Sequence, residues 1–201
     1  FTIHLKRGGR ITIYPNLLSE EQYAEIKKEL LESSLFRQYR IQGNDEPRMH
    51  FLLHEDATMD DTQAQPGYHY ASLNMKAKPL NLLPKLEELS RYIADVCGVD
   101  KWTIGVDPVI YRDGRDKMGN HAGDDQGEKI ICALLVAGAK ARKVIIQTFT
   151  HLEPMEGDEQ IELFLGPRDA YVMDGRMQES YSHCVPPDPT QENQDHAERI
   201  A

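Results

Sequence analysis

Apolar and polar residues alternate over TIHLK (2–6) and RITIY (10–14), on either side of Gly8 and Gly9. A period of two broken by glycines predicts a β-hairpin. The period then changes. Tyr23, Ile26 and Leu30 recur at helical spacing behind Ser19 and Gln22, which stand as a capping box, so a helix is predicted to about Ser33. A second helix is marked by Pro84 in its first turn, by Leu86, Leu89, Ile93 and Val96 on one face, and by Gly98 as its stop. Between the two, residues 43–67 are rich in Pro, Gly and Asp and predict irregular surface. After Val99, short apolar runs separated by turn residues predict strands at 102–111, 130–137, 143–149, 161–165 and 169–174. Helices first and strands after, with no helix between the later strands, predict an α+β protein. Its helices would pack on one side of a mostly antiparallel sandwich or open barrel.

The chain of 201 residues suits one domain, and 40% apolar with 28% charged residues suits a water-exposed globule with a sizeable core. The longest apolar run, Ile130–Gly138, is strand-sized, so no membrane partner is expected. Three cysteines without finger spacing argue against a disulfide framework and for a reducing compartment, nucleus or cytoplasm. The net charge of −10 weighs against a non-specific nucleic-acid coat. Acid gathers at 44–61, 153–162 and 188–198. Base gathers at Arg112, Arg115 and Lys117 and at Lys140, Arg142 and Lys143. Either basic group reads as a solvated turn or as a local phosphate contact.

His121 and His183 each stand at the edge of a predicted strand. Two histidines from different strands, with one carboxylate, would make a facial triad that leaves three iron positions open. Ordinary surface or hydrogen-bonded histidines are the alternative, since the chain has 8 of them. Tyr68 and Tyr70 alternate around His69 and so share a strand face, which reads as hairpin packing or as an aromatic platform. Arg48 reads as a phosphate or base contact, or as a partner for Asp45 or Glu46. Trp102 and Cys132 read as core, and His50 and His54 show no spacing that suggests ligation.

The flanks of these residues carry a resemblance. The segment Tyr111-Arg-Asp-Gly-Arg-Asp-Lys-Met-Gly-Asn-His121 resembles the strand and turn that enter the first iron ligand of AlkB-family dioxygenases. Asp169-Ala-Tyr-Val-Met-Asp-Gly and Tyr181-Ser-His183-Cys-Val-Pro resemble that family's second-histidine region, and Arg199 falls where the family has an arginine for 2-oxoglutarate. Pro47-Arg48, Gly67-Tyr68-His69-Tyr70 and Lys78-Pro79 resemble its nucleotide-recognition lid, most of all in the nucleic-acid repair branch.

The resemblance implies a double-stranded β-helix, or jelly roll, at 99–201, with helices and recognition lid at 1–98, in a single domain and a monomer. It implies Fe(II) and 2-oxoglutarate as cofactors and molecular oxygen as co-substrate. DNA or RNA bearing alkylated bases would be the partner: an N-alkyl group is hydroxylated and departs as an aldehyde. On this pattern His121 and His183 hold the metal and Tyr111 and Arg199 hold 2-oxoglutarate. Arg48, Tyr68, Tyr70 and Asp125 shape the base pocket.

The chain departs from the pattern at three places. Gly123 stands where the family has its aspartate ligand, so Asp124 becomes the candidate third ligand. Val109 replaces an asparagine, and the family's second 2-oxoglutarate arginine would lie past Ala201. Gly123 also admits a hydroxylase or halogenase of a small molecule or protein on the same fold, or a catalytically impaired homologue that only binds nucleic acid.

Overall fold

The computed structural model describes residues 1–60, 62–70, 72–99, 103–122, 131–134, 141–149, 158–191 and 199–201. Strands β1 (Thr2–His4) and β2 (Gly9–Tyr14) form the predicted hairpin. Helix α1 (Glu20–Glu32) begins at Ser19, whose hydroxyl accepts from the Gln22 N–H while the Gln22 side chain accepts from the Ser19 N–H. Four two-residue strands follow: β3 (Arg40–Ile41), β4 (Asn44–Asp45), β5 (Met49–His50) and β6 (Leu53–His54). The hairpin of β7 (Gly67–Tyr70) and β8 (Leu73–Lys76) leads through β9 (Lys78–Pro79) to helix α2 (Pro84–Cys97), which stops at Gly98 with a left-handed φ of 67°. Leu83, at the N-cap of α2, has no side-chain oxygen. The Glu29 carboxylate of α1 takes that role, accepting from the N–H groups of Lys85 and Leu86 at 3.0 and 2.9 Å.

The remaining chain is mostly strand: β10 (Gly105–Val106), β11 (Val109–Tyr111), β12 (Met118–His121), β13 (Ile131–Leu134), β14 (Arg142–Thr148), β15 (Gln160–Leu165) and β16 (Ala170–Gly175). One helical turn, α3 (Met177–Ser180), precedes β17 (Tyr181–Val185) and β18 (Arg199–Ile200). Two antiparallel four-stranded sheets, ordered β1-β2-β16-β13 and β12-β17-β14-β15, face each other. Alternation puts Val144 and Ile146 of β14 and Leu163 and Leu165 of β15 inward. They meet Ile11, Tyr171 and Met173 of the opposite sheet in one core. Ala170 points the other way, into a second core with Ile26 and Leu30 of α1 and Leu86 and Leu89 of α2. Both helices thus cover one side of an α+β jelly roll.

Three differences from the sequence reading have local causes. The stretch predicted as one strand over 102–111 is β10 and β11, because Pro108 has no N–H for the ladder; residues 100–102, including Trp102, are outside the described set, as is the Cys132 side chain. The irregular stretch 43–67 contains β4, β5 and β6. The expected border at residue 98 is crossed by strand pairs: β2 lies against β16, β5 against β11 and β6 against β10. The N-terminal segment therefore builds part of the sandwich.

Candidate metal and cosubstrate site

β12 and β17 pair with Met118 opposite Val185 and His121 opposite His183, so one extra residue bulges from β12 between those pairs. Directly opposite residues project to the same face, and the two imidazole centroids are 4.2 Å apart. His121 Nδ1 lies 2.8 Å from the Gly119 carbonyl, an acceptor only. Nδ1 must therefore carry the proton, which leaves the Nε2 lone pair free to ligate. Burial pushes the His121 pKa down, and burial with the neighbouring His121 pushes that of His183 down to about 3. Both rings are neutral, the form a metal takes. Among the described residues no group of three histidine, cysteine, aspartate or glutamate side chains converges here. Asp124, the expected third ligand, together with Gly123 and Asp125, lies outside the described residues.

A second sheet supplies the anion side. β11 lies between β18 and β5, pairing Tyr111 with Arg199 and Val109 with His50. Arg199 is 4% exposed, and its Nε and Nη1 have no hydrogen-bond partner among the described residues. Burial pushes its pKa down to about 10 and that of Tyr111 up to about 12, so the pair is a buried cation beside a neutral phenol. Unmatched buried N–H groups are costly, and a carboxylate accepting at either edge of the guanidinium would relieve that cost by charge-assisted hydrogen bonds. The donor set therefore fits the carboxylate of a keto acid, and the two neutral imidazoles fit Fe(II).

Arg142 corrects one expectation. It is buried, lies 5.0 Å from the Tyr111 ring centroid, and donates to the carbonyls of Asp113, Gly114, Asp116 and Pro186. Far from facing phosphate, it ties down the turn that leads into β12. Three more basic residues of these clusters are also engaged: Arg112 with Asp116 at 2.7 Å, Arg115 with Asp113, and Lys143 with Glu162 at 3.0 Å. Acid two to four residues away, or diagonally across on the neighbouring strand, neutralises them; Lys140 is outside the described residues.

Of the residues expected to form a lid, Gly67–Tyr70 is strand β7 of the β7–β8 hairpin, whose turn meets that of a second hairpin, β3–β4, where Gln42 N–H donates to Ser72 Oγ at 2.8 Å. Tyr68 stands opposite Met75, and Leu73 and Met75 are buried while His69 and Asn74 are exposed, so the face carrying Tyr68 is the inner one. Tyr70 pairs by its backbone with Leu73. Arg48 binds Glu46 at 2.6 Å, the second of the two readings its sequence allowed. Glu46 also holds the buried His50, which the sequence reading passed over. The signal was present in the alternation of Glu46, Arg48 and His50, which puts all three on one face of an extended segment.

A family model described as the 2OG-Fe(II) oxygenase superfamily matches residues 10–201. The chain belongs to that superfamily. Fe(II) and 2-oxoglutarate are accordingly its cofactors and oxygen its co-substrate. No curated protein matches it by sequence. Three solved structures share the oxygenase fold at low identity. IDO from Bacillus thuringiensis is 14% identical, with 94% of this chain and 86% of that one covered and a TM-score of 0.54. OsALKBH1, an AlkB homologue, is 10% identical over 99% and 97%, with a TM-score of 0.55. A bsmA homologue from Methylobium petroleophilum PM1 is 13% identical over 97% and 86%, with a TM-score of 0.53. Among the described residues, no helix of this oxygenase is long and apolar enough to cross a membrane.

Proposed function

We propose that this oxygenase is an AlkB-type enzyme that removes alkyl groups from nucleic-acid bases. The observation that carries the reading is the meeting of His121 and His183 across β12 and β17, with the unmatched Arg199 beside Tyr111 on β11 and β18. His121 and His183 would hold the iron through Nε2, with Asp124 as the third ligand. Arg199 would fork onto a carboxylate of 2-oxoglutarate, and the Tyr111 hydroxyl would donate to it. When bound, iron with 2-oxoglutarate and oxygen supplies the oxidation of a C–H bond on the alkyl group. The base-side residues proposed are Arg48, Tyr68, Tyr70 and Asp125. The β7–β8 hairpin that carries Tyr68 and Tyr70, tied to β3–β4 by the Gln42–Ser72 hydrogen bond, and the likeness to an AlkB homologue support this substrate class.

The test is formaldehyde release from an oligonucleotide carrying an N-methylated base. Release that needs 2-oxoglutarate and is lost in His121→Ala and His183→Ala is the expected result. No release from any methylated oligonucleotide, with 2-oxoglutarate still consumed, would overturn the substrate class.

The internally paired Arg112, Arg115 and Lys143 favour a second reading, hydroxylation of a small molecule or protein. Salt separates the two. Nucleic-acid binding weakens with a log–log slope of about −0.7 per phosphate contacted on a single strand, whereas an uncharged substrate gives a slope of about zero.

A further inference from the structure

Glu46 and His50, which the site above does not use, are joined to Arg48, which it does. The Glu46 carboxylate is shared: Oε1 accepts from Arg48 Nη2 at 2.6 Å, and Oε2 lies 2.8 Å from His50 Nε2. The other ring nitrogen, Nδ1, lies 3.0 and 3.3 Å from the two carboxylate oxygens of Asp107, just ahead of β11. His50 is 1% exposed. Carboxylate oxygens only accept, so both ring nitrogens must donate. A neutral imidazole has one N–H and would set a lone pair against a lone pair at one of the two contacts. Burial opposes a charged ring, but the hydrogen bonds and charges of Asp107 and Glu46 outweigh it and raise the His50 pKa. Among the described residues, Tyr39 is the remaining titratable group against the ring, edge-on with centroids 5.0 Å apart, and Arg37 bridges His50 through backbone. Two carboxylates, one guanidinium and one imidazolium balance in charge.

Arg48 is the outer member of this chain. Its Nε is buried and has no hydrogen-bond partner among the described residues. Its charge acts on both Tyr111, on the keto-acid side, and His121, of the histidine pair.

We propose that His50 is a positioning residue: held as an imidazolium between Glu46 and Asp107, it fixes the carboxylate that fixes Arg48, whose Nε–H is thereby presented to an oxygen or nitrogen acceptor of the primary substrate. The substrate meant rests on the dealkylase reading above, where the acceptor belongs to the alkylated base. Neutralising His50 leaves Glu46 and Asp107 without a shared cation and frees Arg48 to turn.

The experiment uses the full chain labelled with nitrogen-15. In the parent, both His50 ring nitrogens should carry protons at about pH 7.5, where an ordinary imidazole is mostly neutral. A single ring N–H there overturns the proposal. His50→Gln should raise KM for the methylated oligonucleotide by about tenfold while kcat and Mn(II) affinity stay within about twofold, the mark of lost binding that leaves the metal centre intact. Glu46→Gln should do the same. An unchanged KM, or a joint fall of kcat and Mn(II) affinity, overturns the positioning role. If the parent turns over no alkylated oligonucleotide, the function proposed above falls by itself. The Arg48 Nε–H resonance then decides: slow exchange in the parent that is lost in His50→Gln sustains the positioning role, and equal exchange in both overturns it.

Discussion

Arg199 has more donors than partners, and its behaviour on substitution follows from that. Its guanidinium is desolvated, and two of its nitrogens, Nε and Nη1, have no acceptor among the described residues. Replacing it with Met, of similar length and without charge, removes the unmatched group from the cosubstrate-free protein. Arg199→Met should therefore melt at a higher temperature than the parent without 2-oxoglutarate. The same change should weaken 2-oxoglutarate binding by a factor of about 10–150, the worth of a hydrogen bond to a charged group. Thermal unfolding with and without the keto acid checks both halves at once. A lower melting point in both conditions would mean that Arg199 is already satisfied within the protein. At this scale the site is unevenly legible from sequence. His121, His183, Tyr111 and Arg199 carry flanking motifs. His50 meets a carboxylate 57 residues away in the chain, and spacing along the sequence cannot report that contact.

Elements were legible where their signals are local. The capping box of α1 and the Pro84 and Gly98 borders of α2 are written within a few residues of where they act. The cap of α2 is not, because Glu29 reaches it from another helix. Removing that carboxylate leaves the Lys85 and Leu86 N–H groups to water and loosens the joint between the helices. Glu29→Ala should cost about 1–2 kcal/mol, in the range of a lost N-cap, with Glu29→Gln recovering part of it. Urea unfolding followed by circular dichroism measures this, and the slope should stay that of the parent because the exposed surface changes little. The basic clusters show the opposite failing. Read along the sequence, they allowed either a solvated turn or a local phosphate contact. In the fold, Arg142 is an internal tie and Arg112, Arg115 and Lys143 are matched by acid, because turns and strand pairing bring the carboxylates back to them.

For the whole molecule, the order of helices and strands was enough to indicate an α+β sandwich, but not the share the first fourteen residues take in it. β2 is hydrogen-bonded to β16, so residues 9–14 and 170–175 are woven into one sheet. The facing of His121 and His183 has a consequence of another kind. They belong to strands far apart in sequence, so an ion held by both would close a long loop of chain and act as a cross-link that can be withdrawn. The unfolded chain, which must give up that loop's freedom to keep the ion, binds it poorly. Folding and metal loading are then coupled by mass action, and Mn(II) at about a hundred times its dissociation constant should add roughly 2.7 kcal/mol of stability. A rise in melting temperature with Mn(II) that is absent in His121→Ala would display the clasp. Chelation would then loosen this protein as reduction loosens one held by a disulfide, with the advantage that the bond reforms whenever the metal returns.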